Sequence, residues 1–129
     1  MKALVIGATG FIGSHVTRAL LREGIDVRIF RRQSSPHLAL EGLKFEESLG
    51  DLNSFDSLKK AVARCDVVFH AAGYYPLYSF AREKQKSMAL EQMTNVLKAC
   101  EGVSKLIYTS SLSTIGKVSH VGAQLIAPL

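Results

Sequence analysis

The chain has 129 residues, 47% of them hydrophobic and 21% charged, with a formal net charge of +5. That length accommodates one domain and excludes two ordinary ones, and the composition fits a soluble globular domain. The positive balance raises nucleic acid as a partner, but the basic residues are scattered. Outside Arg31-Arg32 and Lys59-Lys60 none are adjacent, and no basic patch is interleaved with aromatics, so no nucleic-acid partner is expected. No apolar stretch reaches membrane-spanning length, so no membrane partner is expected either. The first strand begins at the N-terminus, which leads to an expectation of no targeting segment and a cytoplasmic location. Cys65 and Cys100 are far apart, with no C-x-x-C, and read as reduced, mostly buried thiols; no metal site is expected.

The first predicted element is a strand over Ala3-Leu4-Val5-Ile6, a continuous apolar run of the kind buried on both faces of a parallel sheet. Gly7-Ala8-Thr9-Gly10-Phe11-Ile12-Gly13 follows directly. Gly7 allows a sharp turn, Gly10 lets backbone approach phosphate, and Gly13 lets the next helix pack close to the strand. That helix is predicted from Phe11 to Glu23, with Ile12, Val16, Ala19 and Leu20 on one face and Gly24 as its stop. Its N-terminal N–H groups would receive an anion, the dipole adding roughly 0.3–1 kcal/mol and hydrogen bonds the rest. The spacing is G-x-x-G-x-x-G, and no Gly-Lys-Ser/Thr of a P-loop follows. The alternative is an ordinary tight strand–helix turn; the flanking strand and helix favour a dinucleotide pyrophosphate site.

The opening Met1-Lys-Ala-Leu-Val-Ile-Gly-Ala-Thr-Gly-Phe-Ile-Gly-Ser-His-Val resembles that of the extended short-chain dehydrogenase/reductase family. That family includes NAD(P)-dependent sugar epimerases, dehydratases and reductases. The resemblance is strongest to the branch of hopanoid-associated sugar epimerases and dihydroflavonol-reductase-like proteins. It implies a Rossmann-type doubly wound α/β fold whose cofactor contacts include Gly7, Thr9, Gly10, Phe11, Ile12 and Gly13.

Asp26 to Phe30 reads as the second strand, with Arg31 and Arg32 at its end about 20 residues beyond the glycines. An acidic residue there would bind the ribose 2′-hydroxyl of NAD, whereas arginine accommodates the 2′-phosphate of NADP. NADP is therefore the expected cofactor, with NAD second; the alternative for the two arginines is a solvated loop pair. Ser34-Ser35-Pro36 marks a loop, and Leu43 to Glu46 is read as a short third strand. Asp51 either caps the next helix or accepts from the adenine amino group; the resemblance places Asp51 and Leu52 in the adenine pocket. Phe55, Leu58 and Val62 predict a helix over Ser54 to Arg64. Asp66 to His70 is the fourth strand, followed by Ala71-Ala72-Gly73, small residues that let a cofactor lie against backbone at a strand's carboxyl end. His70 reads as a packed strand-end histidine rather than a base or ligand. Tyr74, Tyr75 and Tyr78 fall in the family's variable substrate-side loop, where they stack on a ring or serve loop packing.

A long helix is expected from Phe80 to Glu101, with Met93, Val96, Leu97 and Cys100 as its apolar face. Asn95-Val96-Leu97 matches the family, but the asparagine expected upstream is Ala89, which weakens the case for catalysis. Val103 to Thr109 is the fifth strand, giving an expected order of 3-2-1-4-5. Thr109 falls among the cofactor contacts. Ser111, with Gly116 at the family's distance, matches the serine that hydrogen-bonds the reacting group. The family's acid/base is a tyrosine four residues before a lysine, on one helix face. Here Tyr74, Tyr75, Tyr78 and Tyr108 are followed at that spacing by Tyr78, Ser79, Arg82 and Leu112. The expectation is a cofactor-binding domain over residues 1–116 and a divergent tail over 117–129, from a truncated, alternatively spliced or frameshifted product lacking the catalytic and substrate regions. The implied substrate of a full-length relative is a small molecule, a sugar nucleotide or a ketone or alcohol. Relatives usually pair through helices of which this chain has one, which leaves a homodimer open. The alternatives are a non-catalytic NADP-sensing module and a non-functional product.

Overall fold

A computed structural model describes residues 1–36, 38–73 and 81–111. Five parallel strands form one sheet in the order β3-β2-β1-β4-β5, as the sequence predicts. The strands are β1 (Lys2–Ile6), β2 (Asp26–Arg31), β3 (Glu46–Leu49), β4 (Val67–His70) and β5 (Lys105–Tyr108). Helices α1 (Phe11–Arg22), α2 (Phe55–Val62) and α3 (Arg82–Ala99) make the crossovers, with one 3-10 turn at Leu38–Leu40. The central strands β1 and β4 are largely apolar, and β2 is so at Val27, Ile29 and Phe30, because both of their faces are covered. Leu4, Ile6, Phe30 and Val68 are buried with Leu58, Ala61, Val96 and Ala99 from α2 and α3. Val5, Val27 and Ile29 pack on the opposite face with Leu40, Val16 and Leu20. The continuous apolar run of β1 is therefore buried on both faces, as expected.

Three sequence expectations shift. The third strand runs over Glu46–Leu49, not Leu43 to Glu46. Leu43 and Phe45 pack instead against the core on the α1 side. The strand itself is polar because it is an edge, and its carboxylates pair with arginines of β2, Glu46 lying opposite Arg28 and Glu47 opposite Ile29 in the register. On α1 the buried residues are Gly13, Ser14 and Thr17, whereas Ile12 is 48% exposed and Ala19 faces solvent. The helix lies so close to the first strand's turn that only small residues fit, and Thr17 Oγ1 donates to Gly13 O at 2.9 Å. On α3, Val96, Ala99 and Cys100 are buried while Leu97 is 53% exposed. The inward stripe keeps Val96 and Cys100 of the expected face, with Met93 half-buried, and takes Ala99 in place of Leu97.

α1 ends as expected at Gly24, where Gly24 N donates to Leu21 O and Ile25 N to Leu20 O, the paired bonds of a Schellman motif. α2 is capped by Ser54, whose hydroxyl accepts from Ser57 N at 3.3 Å. Its C-terminus is held by Arg28, a cation only 8% exposed. Arg28 donates to the Ala61 and Ala63 carbonyls at 2.6 and 2.8 Å and grips Glu46 through Nε and Nη2 at 2.8 and 2.7 Å. Lys2 pairs with the same carboxylate. The hydrogen bonds from Lys2 and Arg28 hold the Glu46 carboxyl below its ordinary range. No helix of the described residues is long and apolar enough to cross a membrane. Tyr74, Tyr75, Tyr78, Phe80, Gly116 and the tail over 117–129 lie outside the described residues.

Candidate cofactor-binding site

The carboxyl ends of β1, β2 and β4 open into a cleft of about 180 Å³ lined by Ile6, Gly7, Thr9, Phe30, Arg31, Arg32, Ser35, Gly50, Asp51, Leu52, Ala72, Gly73 and Gln92. It lies where the strand order reverses, between β1 and β4, the position at which doubly wound sheets receive ligands. Of the residues expected at the cofactor, Gly7, Thr9, Arg31, Arg32, Asp51, Leu52, Ala72 and Gly73 meet in this cleft.

The floor of the cleft is built by the glycine turn. Gly7 has φ +85°, and a Cβ there would stand 2.8 Å from Ala72 N. Backbone of the turn and backbone after β4 therefore touch, leaving a surface without side chains. A Cβ on Gly13 would overlap the Gly7 carbonyl oxygen. This contact fixes α1 against the turn. Gly10 is the N-cap residue, in extended conformation, and no side chain caps the helix. Gly10 N donates to Gly7 O, which leaves the N–H groups of Phe11, Ile12 and Gly13 as the helix's unpaired donors. There is no acidic residue in the first turn to compete for an anion. A bare backbone cradle beneath a free helix N-terminus fits the pyrophosphate of a dinucleotide. Phe11 is 83% exposed beside it. Ala71 N donates to Ile6 O, which ties the Ala71-Ala72-Gly73 wall to β1.

The other end of the cleft carries the polar groups. Asp51 does not cap α2; Ser54 does. Asp51 Oδ1 instead accepts from Asn53 N and Nδ2 at 2.9 and 2.7 Å, closing an Asx turn that precedes the helix. Gln92, half-buried on α3, donates to Asn53 Oδ1 at 3.1 Å, and Asn95 donates to Leu52 O at 3.0 Å. These bonds clamp the Asp51–Asn53 turn to α3. The two arginines have different surroundings. Arg31 Nε sits 2.6 Å from Glu47 Oε1, and its Nη1 donates to the carbonyls of Arg32, Gln33 and Ser35. Arg32 is exposed and borders both this cleft and an adjoining one of about 550 Å³ with Gln33, Ser34, Asp51, Ser54 and Ser57.

Thr109 and Ser111 follow β5 at the exposed edge of the sheet and do not line the cleft. Thr109 N donates to His70 O at 3.0 Å, so the backbone after β5 stays beside the end of β4. His70 is 3% exposed and lies 5.2 Å from the Tyr108 ring. Burial pushes its pKa down to about 4, so it is a neutral, packed side chain. The lining residues Ile6, Phe30, Ser35, Gly50 and Gln92 were not anticipated, although Ile6 directly precedes Gly7. Gly50 had a sequence signal, standing directly before Asp51 after the predicted strand. Phe30, Ser35 and Gln92 are brought in by tertiary packing alone.

Comparison with known proteins agrees with this fold. The family model of the 3-beta hydroxysteroid dehydrogenase/isomerase family matches residues 4–126. A protein of Synechocystis sp. with the provisional name dihydroflavonol 4-reductase is 35% identical over 114 residues, covering 87% of this chain and 33% of its own. Sterol demethylase protein B of Methylococcus capsulatus is 31% identical over 118 residues, covering 90% of this chain and 36% of its own. The chain thus spans about a third of the length of the curated relatives it matches. Among solved structures, gox2253 superposes with a TM-score of 0.82 at 35% identity, over 98% of this chain and 39% of that one. UDP-glucose 4-epimerase from Bifidobacterium longum, in complex with NAD+ and UDP, superposes with a TM-score of 0.81 at 26% identity, over 99% and 42%. With its sheet order, its glycine turn and the match over residues 4–126, the chain belongs to the 3-beta hydroxysteroid dehydrogenase/isomerase family, within the extended short-chain dehydrogenases/reductases.

Proposed function

We propose that this chain is the cofactor-binding part of an NAD(P)-dependent epimerase, dehydratase or reductase, and that it binds NADP(H) in preference to NAD(H). The observation that carries this reading is the meeting of Gly7, Thr9, Arg32, Asp51, Leu52, Ala72 and Gly73 in one cleft at the carboxyl ends of β1, β2 and β4. Gly7, Gly10 and the N-terminus of α1 would hold the pyrophosphate, Asp51 and Leu52 the adenine, and Arg32 the 2′-phosphate. When bound, the nicotinamide supplies a hydride acceptor or donor for a hydroxyl-bearing or carbonyl carbon. Ser111 is proposed as the polar contact to that reacting group. No tyrosine of the sequence is followed by lysine at the fourth position, so the chain alone is expected to bind cofactor without turnover. Relatives named as reductases, and one solved epimerase holding NAD+ and UDP, support a small-molecule substrate in the longer relatives.

The test is a melting experiment with each cofactor. A ligand at one hundred times its dissociation constant adds about 2.7 kcal/mol to folding stability. NADP is expected to raise the melting temperature at lower concentration than NAD, and Arg32→Ala to remove most of that difference. Equal shifts with both cofactors, unaltered by Arg32→Ala, would refute the NADP assignment; no shift with either would refute cofactor binding.

A further inference from the structure

Arg31 and Arg32 are adjacent at the end of β2, yet their guanidinium groups are placed in opposite ways. The Arg31 guanidinium has four acceptors, one carboxylate of β3 and three carbonyls of the following loop. Its Nε meets Glu47 Oε1 at 2.6 Å, and its Nη1 reaches the carbonyl oxygens of Arg32, Gln33 and Ser35 at 3.1, 3.3 and 3.1 Å. Its own carbonyl accepts from Gly50 N at 3.0 Å, and Ser35 N closes the loop onto Arg32 O at 3.0 Å. The side chain is only 10% exposed and its carboxylate partner 36%. Three carbonyl oxygens and a carboxylate surround Nε and Nη1 and hold the planar guanidinium against the loop. Arg32 carries the next guanidinium on the chain, on the surface of the two adjoining clefts.

We propose that Arg31 and Glu47 form a brace that sets the shape of the Arg32–Ser35 loop, and that this brace, rather than direct contact by Arg31, determines selectivity for the 2′-phosphate. Arg31 is a positioning residue and Arg32 the group that meets the phosphate. The proposal rests on the NADP reading above and adds to it the division of labour between the two arginines. The physical basis is the cost of ordering: a long cationic side chain on a floppy loop spends part of each phosphate bond in freezing the loop, whereas a preformed loop does not. A cofactor with a 2′-phosphate gains most from that order, because NAD carries no phosphate there for Arg32 to meet.

Glu47 makes the proposal decisive, because the two roles for Arg31 predict opposite signs. If Arg31 itself bound the phosphate, Glu47 would be a competing anion, and E47Q would free the guanidinium and strengthen NADP binding. If the pair is a brace, E47Q loosens the loop and weakens it. The experiment titrates NADP and NAD into the full chain and into E47Q, R31M, R31K and R32A by calorimetry at one ionic strength. Expected are a roughly threefold to tenfold loss in the NADP-to-NAD affinity ratio for E47Q and R31M, and no further loss when E47Q and R31M are combined in one chain. R31K, which keeps the charge but lacks the planar fork, is expected to resemble R31M. R32A is expected to abolish the ratio. Amide exchange at Ser35, read without cofactor, should quicken in E47Q and R31M; this measurement holds even for a variant too weak to titrate. An E47Q chain with unchanged or higher NADP preference, or with unaltered exchange at Ser35, overturns the brace. A parent chain without NADP preference overturns the NADP reading and the brace with it; an R32A chain that keeps the preference overturns Arg32 as the phosphate contact, and the brace with it, while the NADP reading stands; a preference lost in R32A but not in E47Q overturns the brace alone.

Discussion

Single atoms decide whether the glycine turn works. Gly13 touches the Gly7 carbonyl where any Cβ would overlap it. Since that oxygen belongs to backbone, relief requires moving α1 away from β1 as a unit. Gly13→Ala is therefore expected to cost about 1–3 kcal/mol, the usual penalty of overpacking. It should also erase the NADP-induced rise in melting temperature, because α1 carries the N–H donors aimed at phosphate. Calorimetric melting with and without NADP checks both effects, and a variant that melts like the parent and still responds to NADP would contradict the role assigned to this contact. The glycine spacing was readable from the sequence because a missing side chain is itself a sequence fact. The different fates of Arg31 and Arg32 were not, since both are arginines at a strand end until Glu47 arrives from β3.

At the level of elements, the sequence placed four of the five strands and all three α-helices, and it erred where local pattern and tertiary demand differ. Leu43 and Phe45 have the character of a strand, but the sheet's edge takes the polar Glu46–Leu49, where carboxylates answer the arginines of β2. On α1, hydrophobic spacing pointed to Ile12 and Ala19. Close approach to the turn selected the small residues Gly13, Ser14 and Thr17 instead. The start of α2 offers a direct test. Ser54, not Asp51, supplies the cap. Ser54→Ala is expected to lower stability by about 1 kcal/mol, as measured by urea unfolding. Asp51→Asn, which retains the Asx turn to Asn53, should change it by less than half as much. Equal losses in the two variants would return the cap to Asp51.

For the whole molecule, the five strands enclose two cores, and the parts that titrate lie at opposite ends of the sheet. His70 is buried near the carboxyl end, and Glu46 is paired at the amino end. A histidine whose pKa falls from 6.5 to about 4 on folding binds its proton more readily when unfolded. Its contribution is complete above pH 6.5 and declines as pH falls toward 4, by roughly 3 kcal/mol in all. The lowered Glu46 acts in the same direction, its share being lost as the carboxylate protonates below its ordinary range. The melting temperature should therefore drop between pH 6.5 and 4.5, and His70→Phe should flatten that slope; an equally steep slope in the variant would remove His70 from the account. The amino-acid sequence by itself determined the order of elements, the buried strands and the glycine turn, because these rest on backbone freedom and hydrophobic periodicity within a few residues. Packing decided which arginine is tied to Glu47, which residues of α1 are buried, where the edge strand lies and what holds the end of α2. Each of those depends on partners 16 or more positions away or on the space left between elements, and no local pattern encodes either.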